Sequence, residues 1–118
     1  MDSMLKQAMI EHIEDNLNDL TYEIKAELAI LYASKMDKTY KSIFFSKLRD
    51  KFIKEIKYLK EETLYKILWA MIKAEELKIS DDSPEWILIK DILKQKSKEL
   101  SPKVIADILL LSTLEGVT

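Results

Sequence analysis

The chain has no cysteine, one glycine, two prolines and one histidine in 118 residues. Without cysteine there is no disulfide, no thiolate nucleophile and no cysteine-ligated zinc. The single glycine, Gly116, lies near the C-terminal end. No glycine-rich loop can therefore cradle a phosphate, and no serine sits in a glycine-flanked nucleophile elbow. The single histidine, His12, falls in the cluster Glu11-His12-Ile13-Glu14-Asp15. A carboxylate-bridged di-metal bundle needs two Glu-x-x-His motifs and two further inward glutamates, and the chain has no Glu-x-x-His. The cluster is read as a solvated acidic face of the first helix. No catalytic residue, metal or cofactor is expected.

Long apolar runs are also missing. Charged residues interrupt every stretch before it reaches the ~20 residues that cross a bilayer, so no membrane span is expected. Met1-Asp2-Ser3-Met4-Leu5 lacks the basic and apolar blocks of a secretory signal. An intracellular protein is expected, with organelle import left open.

What is present is helix-forming. Hydrophobic residues make up 47% and charged residues 34%, the balance of a globular chain and not of a disordered one. Few breakers and many Leu, Ile, Lys, Glu and Ala predict helices joined by short connections within one domain, residues 1–118. The first helix is expected from Ser3 to about Leu17, with Leu5, Met9, Ile13 and Leu17 as its apolar stripe and Met4 and Ile10 beside it. The second is capped by Thr21 and reaches Met36, with Ile24, Leu28, Leu31 and the flanking Ile30 and Tyr32 apolar. Asp37-Lys38-Thr39 interrupt the pattern. The third runs from Tyr40–Ser42 to Tyr58, burying Phe45, Leu48, Phe52, Ile56 and Leu59 at helical spacing. The fourth covers Glu61 to Leu77, with acidic residues in its first turn. Lys78 to Asp82 form a polar connection. Ser83-Pro84-Glu85 and Ser101-Pro102 are helix starts, for a fifth helix to Lys98 and a sixth to Leu114 or Glu115.

These helices pair, and the pairs resemble one another. Met9, Leu48 and Ile89 align. So do Ile13, Phe52 and Leu93, and then Leu20, Leu59 and Leu100. In the second members Ile30-Leu31-Tyr32-Ala33 aligns with Ile67-Leu68-Trp69-Ala70 and Ile108-Leu109-Leu110-Leu111. The period of about 40 residues is that of helical-repeat arrays. The expected fold is all-α: about six helices in three antiparallel hairpins, stacked as a short solenoid-like array. Three unrelated amphipathic hairpins of similar length would also align on their leucines.

Net charge is −2, but it is unevenly spread. Residues 1–37 have three Lys against eight acidic residues (−5), and residues 38–79 have eleven Lys/Arg against six (+5). Residues 80–118 have five Lys against seven acidic residues (−2). Within the basic block, Lys47, Lys51 and Lys54 share one helical face. That stripe is a solvated face, a dock for an acidic partner, or a track for RNA phosphates. The sixth helix is apolar most of the way round, at Val104, Ile105, Ile108, Leu109, Leu110, Leu111 and Leu114. A helix of that kind is usually buried, either under its own chain or under a partner. Ile105, Leu109 and Leu110 are the candidate interface, joined by Trp86, an aromatic near a helix start and expected to be partly exposed.

The segment Leu64 to Ala74, with its Ile67-Leu68-Trp69-Ala70 centre, resembles the second helix of the repeats in octotricopeptide and FAST-kinase/RAP-type helical-repeat proteins. The resemblance implies a helical-repeat architecture and action on organellar RNA, with mitochondria as a compartment. The Lys- and Ile-rich, cysteine-free composition also fits an accessory subunit of a large complex. Two functions are therefore expected. The first is a non-enzymatic protein–protein interaction module, a scaffold whose sixth helix is covered by a protein partner or by self-association. The alternative is RNA binding through Lys47, Lys51 and Lys54.

Overall fold

The computed structural model describes residues 3–77 and 82–116. Among them are six α-helices and no strand: α1 (Ser3–Asp15), α2 (Tyr22–Lys35), α3 (Lys38–Glu55), α4 (Glu61–Lys73), α5 (Pro84–Lys96) and α6 (Pro102–Gly116). Of the polar connection at Lys78 to Asp82, only Asp82 is among the described residues.

Local chemistry sets most boundaries. Thr21 Oγ1 accepts the Ile24 amide at 3.3 Å, and Ser83 Oγ accepts that of Trp86 at 3.3 Å. Each satisfies an amide that the first helical turn leaves without a partner. Asp37 does the same for Tyr40 at 3.2 Å, so α3 begins at Lys38, earlier than its apolar pattern suggests. α4 stops at Lys73 instead of Leu77. The Glu76 amide returns to the Met71 carbonyl at 2.9 Å and the Glu75 amide to Ile72 at 3.0 Å. These two bonds define a Schellman turn, which requires a left-handed residue, here Glu75 at φ 61°.

The connections that follow α1 and α3 are alike. α1 is followed by a 3-10 turn at Leu17–Asp19, and α3 by one at Ile56–Tyr58. Leu17 and Ile56, which open these turns, are both buried. Each turn leads into an extended leucine, Leu20 (φ −82°, ψ 149°) or Leu59 (φ −81°, ψ 148°), and then into the next helix cap. After α5 the chain turns again through residues 97–99 to Leu100, and Ser101 Oγ accepts the Val104 amide at 3.4 Å.

α4 is the central element. It packs on α2 along one side and α6 on the other, while α3 lies against α2, and α5 against α3 and the turn at 56–58. Leu64, Ile67, Leu68, Ala70, Met71 and Ile72 of α4 are all buried. Burial of each large aliphatic side chain is worth ~1.5–3 kcal/mol. The expected α3 face, Phe45, Leu48, Phe52, Ile56 and Leu59, is buried as well, joined by Phe44. The Phe44 ring stacks on Tyr32 at 4.2 Å between centroids and meets Phe45 edge-on at 5.1 Å.

α2 differs from expectation. Its buried face is Lys25, Ala26, Ala29, Tyr32 and Ala33, while Ile24 and Leu31 of the expected stripe are exposed and Leu28 is half-buried. Close approach to α4 explains the choice, because alanines let two helix backbones come nearer than larger residues do. α1 shows a similar rotation: Ile10 is buried, whereas Leu5 and Met9 face outward.

Candidate interaction surface

The sixth helix turns one face inward and one outward. Ile108 is buried, and Val104, Ile105 and Leu111 are partly buried against the core. Leu109 is 61% exposed and Leu110 57%. Glu61 Oε2, at the start of α4, accepts the Ser101 amide at 2.7 Å and so fixes where α6 begins. Of the residues singled out in the sequence, Leu109 and Leu110 lie together on the surface and Ile105 lies at its edge. The side chain of Leu114 is outside the described residues.

Trp86 is placed differently. It is only 7% exposed and belongs to the core. The Ser83 cap sets the phase of α5 so that Trp86 and Ile89 face inward. The aromatic side chain therefore has almost no area to offer a partner. Its neighbours Ile87 and Leu88 are exposed instead. The run Trp86-Ile87-Leu88-Ile89 contained that signal, because four consecutive apolar residues span more of a helix than one buried face can cover.

The lysine face divides. Lys47 and Lys54 are exposed. Lys51 is half-buried, and its Nζ donates to the Asn18 carbonyl at 3.4 Å and lies 4.0 Å from Glu55. Asn18 is the middle residue of the first 3-10 turn. Lys96 of α5 makes the same contact with the second turn, donating to the Lys57 carbonyl at 2.9 Å. In both places a lysine from a later helix donates to the carbonyl of the middle residue of a 3-10 turn.

Beside Lys51 lies a buried cation that the helical pattern of the sequence does not reveal. Lys25 is 2% exposed, with its ammonium 4.4 Å from the centre of the Tyr22 ring. Burial pushes its pKa down, as does the Lys51 charge, while Glu55 acts in the opposite sense. The Tyr22 hydroxyl is pushed up to about 12, first by burial and then by the Glu55 carboxylate. The Tyr32 hydroxyl is raised for the same leading reason, with Glu14 adding to it.

A groove of about 570 Å³ runs between α2 and α4, with Ile24, Leu28 and Leu31 on one wall. It is crossed by Lys66, which pairs with Glu27 at 2.7 Å and Glu62 at 3.3 Å. Among the described residues, no three His, Asp or Glu side chains are grouped to hold a metal ion, and no helix is long and apolar enough to cross a membrane. Comparison with protein-family models, characterised proteins and solved structures finds no match to this chain.

Proposed function

We propose that the chain is a non-enzymatic protein–protein interaction module, a scaffold or accessory subunit that docks through the C-terminal end of a short stack of three helical hairpins. The observation that carries this reading is the exposure of Leu109 and Leu110 on α6, with Ile87 and Leu88 of α5 exposed as well. End units of helical arrays normally present a polar outer face. Four large apolar side chains at the end of this one represent area whose removal from water would drive association. The stacked-hairpin architecture is supported by the recurring turns ahead of Leu20, Leu59 and Leu100. It is supported also by the cross-pair contacts of Lys51 with Asn18 and Lys96 with Lys57.

RNA binding along α3 is the weaker reading, because Lys51 is already engaged within the fold. Site-specific photo-crosslinking tests both. A photoreactive side chain at position 110 is expected to yield a protein adduct, and one at position 54 none. Adducts to RNA from position 54, with binding that survives physiological salt, would replace the docking reading with the RNA one. No adduct from either position would overturn both.

A further inference from the structure

Resting on the docking reading of α6, we infer that what covers the C-terminal end is the N-terminal end of a second copy of this chain. The two ends match in chemistry. At one, α5 and α6 expose Ile87, Leu88 and Leu110; at the other, α1 and α2 expose Leu5, Met9, Ile24 and Leu31. Each end therefore exposes apolar side chains on two helices, and Ile24 and Leu31 also wall the groove beside α4. The helices differ in charge sign. α1 has Lys6 against Glu11, Glu14 and Asp15, a net −2 with its lone histidine neutral, and Glu11 and Asp15 are exposed. α5 has Lys90, Lys94 and Lys96 against Glu85 and Asp91, a net +1, with Lys94 and, just past the helix, Lys98 exposed.

The chain already contains the geometry of such a joint. α4 packs on α2 and α6 packs on α4, while α5 lies on α3 and its turn. A copy added beyond α5 and α6 repeats that step: its α2 meets α6 and its α1 meets α5. The basic α5 then faces the acidic α1, the arrangement that favours encounter and fixes orientation. A two-fold pairing of α6 with α6 would instead set the lysines of two α5 helices near each other. The contact is heterologous, so it propagates into an open chain or closes into a ring.

Sedimentation velocity on the full chain, with two end-blocked variants, tests this. Leu5→Asp with Met9→Asp blocks the N-terminal end, and Leu88→Asp with Leu110→Asp blocks the other. All four residues are exposed, so both variants are expected to keep the wild-type helicity. The wild type is expected to grow in mass with concentration, each variant alone to stay monomeric, and their equimolar mixture to form dimers and nothing larger. Glu11→Lys with Asp15→Lys weakens association by at least about tenfold, and Lys94→Glu with Lys98→Glu in the partner copy restores it. A mixture that stays monomeric, or an N-terminally blocked variant that dimerises alone, overturns the inference. A wild type that is monomeric at every concentration, yet forms a protein adduct from position 110, overturns the second-copy occupant and leaves the docking reading standing. Absence of both overturns the two together.

Discussion

A single nitrogen of Arg49 joins α3 to the end of α4: its Nη2 donates to the Glu76 carbonyl at 2.7 Å and to Glu76 Oε2 at 2.9 Å. Both side chains are largely covered, at 26% and 19% exposed. The position of Glu76 depends on the left-handed Glu75 before it, which turns the chain back toward α3. Helix termination and tertiary contact are thus one feature. Arg49→Met should cost ~1.5–3 kcal/mol, the range for a partly buried hydrogen bond to a charged group. Urea unfolding of the variant checks it, and an unchanged midpoint would mean that the contact contributes nothing net.

Glu75 is the only non-glycine residue with positive φ among those described. A side chain with a β-carbon in that region costs ~1–2 kcal/mol, and glycine occupies it freely. Glu75 is exposed. Glu75→Gly should therefore stabilise the fold, by less than the full strain because glycine also gains freedom in the unfolded chain. Thermal unfolding should show a rise in midpoint, and Glu75→Val a fall.

The alkaline stability of the protein follows from buried groups that act in opposite directions, Tyr22 and Tyr32 on one side and Lys25 on the other. Tyr22 ionises at about 12 in the folded chain against an ordinary 10.0. Its contribution is complete below the lower value and is lost as pH rises toward the higher, because only the unfolded chain ionises in that window. Lys25 is lowered from 10.5, so its burial penalty is complete below the lowered value and relieved as pH rises from there toward the ordinary one. Tyr22→Phe should flatten the loss of stability above pH 10. Lys25→Met, which keeps length and removes the charge, should raise stability near neutrality and gain less near pH 10. Denaturant midpoints across this range test Tyr22 and Lys25, and tyrosinate absorbance should include a late phase from Tyr22 and Tyr32.

The sequence was most legible where one physical preference dominated. Phe45, Leu48, Phe52, Ile56 and Leu59 are large and regularly spaced, so the face of α3 has one phase. Thr21 and Ser83 cap because short hydroxyl side chains reach a free amide three residues on. α2 was harder because two faces competed. Ile24, Leu28 and Leu31 offer more apolar area, while Ala26, Ala29 and Ala33 allow a closer approach to α4, and approach prevailed. No periodic pattern marks Lys25 as buried, since its place depends on Tyr22 and Glu55, which come from different helices. For the candidate surface, the all-round apolar character of the sixth helix announced that some of it would face outward. Which part did so depended on the packing of α4 against Ile108.

Lys51 separates structure from recognition on the basic face. Its ammonium reaches the Asn18 carbonyl at 3.4 Å and stands beside Glu55, whereas Lys54, less than one turn further on, is exposed. Lys51→Glu would place a carboxylate against a carbonyl oxygen and against Glu55, both of which repel it, and would remove the donor from the turn that joins α1 to α2. It would also bring a negative charge toward Lys25, which offsets part of that cost. The net loss should be ~1–2 kcal/mol, the scale of a lost charged hydrogen bond plus repulsion. Lys54→Glu and Lys47→Glu should stay within ~0.5 kcal/mol of wild type, as exposed substitutions do. Unfolding midpoints of the three variants, read with RNA titrations at two salt concentrations, divide the roles cleanly. If the exposed pair controls a salt-sensitive affinity while Lys51 controls stability, α3 carries a nucleic-acid face built on a structural strap. If no variant alters RNA affinity and only Lys51→Glu loses stability, the basic block serves the contact between α3 and the turn after α1, and its charge acts inside the molecule.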